Sequence, residues 1–167
     1  IIGSSGAIGR AFTQQLSSSY PQATIYAFSR KQSAEAAANV SYYSIDYDHE
    51  AAIEEAALLA SKEAPLDMVI VATGILHDAE FMPEKSLREL SAQKFQRLFA
   101  VNTVLPALVA KHFLPTLNKH SQSIFAALSA RIGSISDNQL GGWYAYRASK
   151  AALNMIIKNA AIEIGRR

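Results

Sequence analysis

Leu66-Asp67-Met68-Val69-Ile70-Val71-Ala72 is an apolar run broken only by Asp67. Such a run is what a central parallel strand needs when both of its faces are covered. Toward the N-terminus, Glu50 to Lys62 is rich in Ala and Glu and carries Ile53, Ala57 and Leu58 on one face, which predicts a helix. Val40 to Ile45 reads as a short, Tyr-rich strand, and Ala23 to Phe28 as another, after the Ser-Ser-Ser-Tyr-Pro turn. Ile1-Ile2 reads as the tail of a first strand, with a helix from Ala7 to Ser18 behind it. Toward the C-terminus, Ser86 to Leu98 and Asn102 to Leu117 are helical by periodicity, with Pro106 tolerated near the start of the second. Ser123 to Leu128 is a fifth strand, and a loop over Gly133 to Gly142 leads to a helix from about Trp143 to Ile164. Strands alternating with helix-length connections predict a doubly wound α/β protein with a parallel sheet. No repeat or linker divides the 167 residues, so a single domain over 1–167 is expected.

Bulk properties narrow the function. Half of the residues are hydrophobic and 18% are charged, which is ordinary for a globular protein and too apolar for disorder. The 16 basic and 14 acidic residues are scattered, so nothing predicts a nucleic-acid surface. Without cysteine there is no disulfide, thiolate metal site or cysteine nucleophile. No metal site is expected either, because His49, His77, His112 and His120 lack ligand spacing and read as surface or loop residues. No apolar run approaches the roughly 18 residues that span a bilayer, so no membrane partner is expected.

Gly3-Ser4-Ser5-Gly6-Ala7-Ile8-Gly9 lies where the first strand passes into the first helix. Small residues let the chain turn sharply and let a pyrophosphate approach the backbone, where N–H groups and the helix dipole hold it. Gly3, Ser5, Ala7, Ile8 and Gly9 are therefore candidate cofactor contacts. About twenty residues on, an acidic residue would hold the adenosine ribose of NAD. The chain instead reads Phe28-Ser29-Arg30-Lys31. Arg30, helped by the Ser29 hydroxyl, is suited to a 2′-phosphate, which favours NADP(H). Asp46, ending the third strand, is placed to accept from the adenine amino group, with Tyr47 beside it.

Tyr146-Arg147-Ala148-Ser149-Lys150 carries the predicted chemistry. Residues four apart on a helix share a face, so the phenol and the ammonium can enter one cleft. A free tyrosine titrates near 10, and a neighbouring lysine cation is expected to favour its phenolate.

With these motifs in this order, the sequence resembles the short-chain dehydrogenases/reductases over nearly its whole length. The resemblance rests on the Gly3–Gly9 turn, on Asn102 in Phe99-Ala100-Val101-Asn102-Thr103, and on Tyr146–Lys150 followed by Ala151-Ala152-Leu153-Asn154. Trp143-Tyr144-Ala145-Tyr146-Arg147 is similar to the carbonyl-reductase and C-factor-like branch. It implies a Rossmann-type three-layer α/β/α fold and hydride transfer between a nicotinamide and a carbonyl or secondary alcohol. Tyr146 would be the general acid/base. Lys150 would bind the nicotinamide ribose, and Asn102 would hold a relay water. It also implies a cytoplasmic homodimer or homotetramer acting on a small molecule.

The match departs in places. Ala7 replaces the middle glycine, which leaves a Gly-x-x-Gly-x-x-Gly spacing shared with extended, epimerase-type relatives. The segment after the fourth strand is Val71-Ala72-Thr73-Gly74, where Ala72, Thr73 and Gly74 are candidate cofactor contacts. In Leu128-Ser129-Ala130-Arg131-Ile132-Gly133-Ser134 the usual catalytic serine falls on Ala130, so Ser129, ahead of Ser134, is the candidate donor to the substrate oxygen. The chain lacks an initiator Met and stops where the resemblance implies further strands and a substrate-covering segment, so a trimmed sequence is expected. A cofactor-binding signalling protein with weak turnover and a sugar-nucleotide epimerase are the alternatives.

Overall fold

The computed structural model describes residues 1–31 and 36–166. The chain divides into two compact units, Ile1–Thr73 with Lys111–Leu128, and Gly74–Ala110 with Ser129–Arg167. The first contains α1 (Ala7–Ser19), β1 (Ile25–Ser29), β2 (Val40–Ser44), α2 (Glu50–Ala60), β3 (Met68–Val71) and β4 (Ile124–Ala127). β1 pairs in parallel with β2, and β3 with β4. Ile2 joins the pairs, bridging Phe28 on one side and Val71 on the other. The parallel order is thus β2-β1-Ile2-β3-β4, as a doubly wound sheet requires.

Burial explains why the apolar run decides the fold. Val69, Ile70 and Val71 are all buried, as are Ala27 and Phe28 in the other inner strand. β2 is half-buried; its Tyr43 stacks on Tyr26 and Phe28 of β1 at centroid distances of 6.2 and 5.5 Å. Ile53 of α2 is fully buried, a contribution of roughly 2 kcal/mol.

The predicted helices at 86–98 and 102–117 differ from those observed. Leu87–Glu89 form only a 3₁₀ turn, in which Glu89 accepts from the Lys85 N–H at 3.0 Å and the Ser86 hydroxyl at 3.4 Å. The chain then extends at Leu90 and Ser91 before α3 (Ala92–Phe99). α3 runs through a π-helical segment, Ala100–Val104, into α4 (Leu105–Phe113) without a break. Nothing in Phe99-Ala100-Val101 stops a helix, so the two stretches merge. The merged run, Ala92–Thr116, is long and apolar enough to cross a membrane by length and composition, contrary to the sequence expectation. Within this run Leu98, Asn102, Thr103, Leu105, Val109, Ala110 and Phe113 are buried inside the molecule. In the second unit α3 and the π segment pack on α5 (Tyr144–Ile164).

Candidate functional site

In the first unit, the glycine turn is pinned from both sides. Gly3 has φ of +88°, and an added Cβ would lie 2.9 Å from Thr73 Cγ2 and 3.0 Å from the Ala72 and Thr73 backbone. Its N–H donates to the Phe28 carbonyl at 2.9 Å and to the Tyr47 hydroxyl at 3.0 Å. Ser5, Gly6, Ala7 and Ile8 are exposed at the start of α1, whose N-cap Gly6 has no capping side chain. Gly9 is buried, and its Cα hydrogens face the Gly3 carbonyl. Thr73 Oγ1 is buried without a hydrogen-bond partner among the described residues.

The hydroxyls and carboxylate proposed from sequence for the adenosine end hold the protein's own backbone. Ser29 is buried and donates to the Lys31 carbonyl at 2.5 Å. Asp46 accepts from the Asp48 N–H at 2.9 Å and pairs with His49 at 2.8 Å. Those bonds, that to Asp48 first, hold its pKa below the usual value. Tyr47 is a fastener: besides accepting from Gly3, its hydroxyl donates to the Phe28 carbonyl at 3.0 Å. Arg30 is exposed. His112 departs from its expected surface role; its side chain is only 12% exposed and meets Glu50 at 2.9 Å.

Burial, opposed by the Gly3 hydrogen bond, pushes the Tyr47 phenol up to about 12 from 10.0. A folded-state pKa above the unfolded one gives stability that is present in full below pH 10 and lost as pH rises toward 12. The shift corresponds to roughly 3 kcal/mol. Folding stability is therefore expected to fall between pH 10 and 12 in denaturant titrations. Tyr47→Phe should be less stable than wild type at neutral pH yet lose less across that window. An unchanged alkaline slope in Tyr47→Phe would refute the assignment.

In the second unit, Tyr146 and Lys150 lie one turn apart on α5, with Lys150 Nζ 5.9 Å from the Tyr146 ring centroid. Lys150 and Ser149 are buried. The expected acidifying of Tyr146 by Lys150 is not what results. Burial raises the phenol and lowers the lysine, because each charged form is disfavoured away from water. Asn102, in the π segment, is fully buried. Its Oδ1 accepts from the Ile75 N–H at 2.8 Å, and its Nδ2 donates to the Ile75 carbonyl at 2.8 Å and to Ser149 Oγ at 3.1 Å. The Asn102 side chain thus ties the segment after Gly74 to α5. Gly74 leaves the space beside Lys150 Nζ open, where a Cβ would come within 3.4 Å.

Ser129 is exposed and donates to Asn154 Oδ1 at 2.6 Å. Ser134 accepts from the Asp137 N–H at 3.3 Å. Two residues had no site role from sequence. Gly133 is buried, and a Cβ there would lie 2.9 Å from the Lys150 backbone carbon. Ser149 donates to the Tyr146 carbonyl at 2.8 Å and carries Asn102. Only its place inside Tyr-x-x-Ser-Lys pointed to it.

A parallel sheet in this order, with a glycine turn leading into its first helix, defines a Rossmann-type α/β protein. The chain belongs to the short chain dehydrogenase family, whose model matches residues 1–167. C-signal of Myxococcus xanthus is 34% identical over 79 residues, which is 47% of this chain and 48% of that protein. Across the curated relatives, the matched parts span 41% to 66% of their lengths. Among solved structures, carbonyl reductase Sniffer of D. melanogaster has a TM-score of 0.84 at 23% identity, covering 99% of this chain and 74% of that one. The NADPH-bound carbonyl reductase from chicken fatty liver also scores 0.84, at 24% identity, covering 99% and 73%. These likenesses establish the fold.

Proposed function

We propose that the chain serves an NADP(H)-dependent oxidoreductase that reduces a small carbonyl compound or oxidises the matching secondary alcohol. The observation that carries this reading is Tyr146 and Lys150 stacked on one helix face, with the lysine buried beside the phenol ring. Family membership supports it. Two features fit a dinucleotide: the exposed small residues at the uncapped start of α1, and the Thr73 hydroxyl beside Gly3, unpartnered among the described residues. Gly3, Ser5, Ala7, Ile8 and Gly9 would form the turn around the phosphates, with Ala72, Thr73 and Gly74 at the end of the neighbouring strand.

When bound, the nicotinamide supplies or accepts hydride. The Tyr146 hydroxyl gives its proton to the carbonyl oxygen during reduction and takes it back during oxidation. Like any phenol it is protonated at neutral pH, the form that donates, although burial raises its pKa and so makes it a weaker acid. Lys150 would hold the ribose hydroxyls of the nicotinamide half. Asn102 and Gly74 keep that position open and fixed. Ser129 is the remaining candidate donor to the substrate oxygen. It would have to leave Asn154, which limits what it adds. A cytoplasmic homodimer or homotetramer completes the proposal.

The test is NADPH consumption by the full-length protein across a panel of aldehydes and ketones, with NADPH binding measured alongside. Binding without turnover on any of them would overturn the reading. It would favour a cofactor-binding signalling protein, a second reading supported by Ala130 at the serine position and the likeness to C-signal.

Cofactor preference has its own test. Arg30 is exposed, and the end of β1, Phe28-Ser29-Arg30-Lys31, carries no carboxylate for a ribose hydroxyl. Arg30→Ala is expected to weaken NADPH about tenfold or more while leaving NADH within about twofold, the loss of one charge-assisted phosphate contact. Equal weakening of both in titration calorimetry would refute it.

A further inference from the structure

Trp143 is the only non-glycine residue with a positive φ among those described, at φ 52° and ψ 43°. A bulky side chain there is strained, and such strain persists only where the surroundings enforce it. Here three observations converge. Gly141 and Gly142 before it are also left-handed, both at φ 65°, so the chain makes a short left-handed turn into α5. The Trp143 N–H donates to the Glu84 carbonyl at 2.6 Å, and Arg147 Nε donates to the Gly142 carbonyl at 3.0 Å. Glu84 is itself buried and accepts from the Ala145 N–H at 3.4 Å. The turn is therefore clamped from the Glu84 loop and from α5 at once.

What the clamp holds is an indole. It meets the Tyr146 ring edge-on, with centroids 6.4 Å apart and planes at 62°. Although it is the sole tryptophan, 39% of it remains exposed. An aromatic ring that served only packing would gain by burying itself. This one stands half-open beside the phenol instead. Met82 and Leu140, in the segments on either side of the clamp, are exposed and apolar as well.

We infer that Trp143 is a specificity-determining wall beside Tyr146, selecting carbonyl substrates that carry a flat aromatic group next to the reacting carbon. This inference rests on the reading of Tyr146 as the proton donor. A planar ring can stack on or meet the edge of the indole while its carbonyl reaches the phenol, and an aliphatic ring of the same size cannot match that geometry.

The test compares benzaldehyde with cyclohexanecarbaldehyde as substrates of the full-length protein with NADPH. Wild type and Trp143→Phe are expected to prefer benzaldehyde in kcat/KM. Trp143→Leu and Trp143→Gly should lose roughly tenfold of that preference, the scale of one aromatic pair. Glycine accepts the left-handed turn, so Trp143→Gly keeps the loop free of strain, and its circular dichroism spectrum shows whether it has folded. Equal changes on both substrates, or none, in the folded leucine and glycine variants would overturn the inference. Wild type and the Tyr146→Phe variant separate the two failures. Tyr146-dependent turnover with no aromatic preference sinks only the role of Trp143, while turnover that survives Tyr146→Phe sinks the proton-donor reading beneath it.

Discussion

Tyr146→Phe is expected to lower kcat for NADPH-dependent carbonyl reduction by about 10³-fold, within the range that a positioned general acid contributes. Only one oxygen is lost. The Phe ring keeps its edge contact with Trp143 and its place under Lys150, so the helix and its neighbours stay as they are. The Tyr146 hydroxyl has no hydrogen bond among the described residues, and its removal costs little stability. NADPH should therefore bind Tyr146→Phe about as tightly as wild type, and thermal midpoints should agree. A kcat loss with intact binding and folding isolates the proton transfer. Retained turnover would remove Tyr146 from the mechanism and with it the main support for the enzyme reading.

Gly9→Ala has the largest effect expected on the fold itself. The new Cβ would lie 2.1 Å from the Gly3 carbonyl oxygen, 2.8 Å from its carbon and 3.0 Å from Ser4 Cα. These are backbone atoms, and Gly3 cannot retreat. Its N–H is held by Phe28 and Tyr47, and its carbonyl accepts from the Gly6 N–H at 3.2 Å. Relief would require the start of α1 to move away from Gly3 and Ser4. A destabilisation of about 3 kcal/mol or more follows, at the upper end of overpacking effects. Gly6→Ala is the matched control. Its nearest neighbour would be the Gly3 oxygen at 3.6 Å, an ordinary contact, and its φ of −71° suits any residue. Gly6→Ala should fold like wild type and act, if at all, on nucleotide affinity. Urea unfolding of the two variants decides the matter. A Gly9→Ala protein as stable as Gly6→Ala would show that the turn is looser than its geometry.

The two variants also separate meanings that one motif letter hides. Gly3 is needed for its backbone angle, and Gly9 for the closeness of two backbones. Gly6 is needed for neither. Tyr47, grouped with the cofactor contacts by its position after the third strand, also fastens the turn through Gly3 and Phe28.

From the sequence alone came the order of strands and helices, the glycine turn and the Tyr146–Lys150 helix. Each rests on local chemistry. The run at 66–72 has no polar side to show water, residues four apart on a helix share a face, and only small residues allow the turn. The merging of the helices into Ala92–Thr116 was hidden, because a π segment leaves no local mark beyond the absence of a breaker. Hidden too was how each polar side chain spends its hydrogen bonds. Ser29, Asp46, Asn102 and Ser129 all looked available in one dimension, and each is taken up by a backbone or side-chain partner. Periodicity and spacing record what a residue prefers near its chain neighbours. Which partner it takes, whether burial outweighs a nearby charge at Tyr146, and why Trp143 bears a left-handed turn depend on segments such as the Glu84 loop, distant in sequence and brought close only by folding.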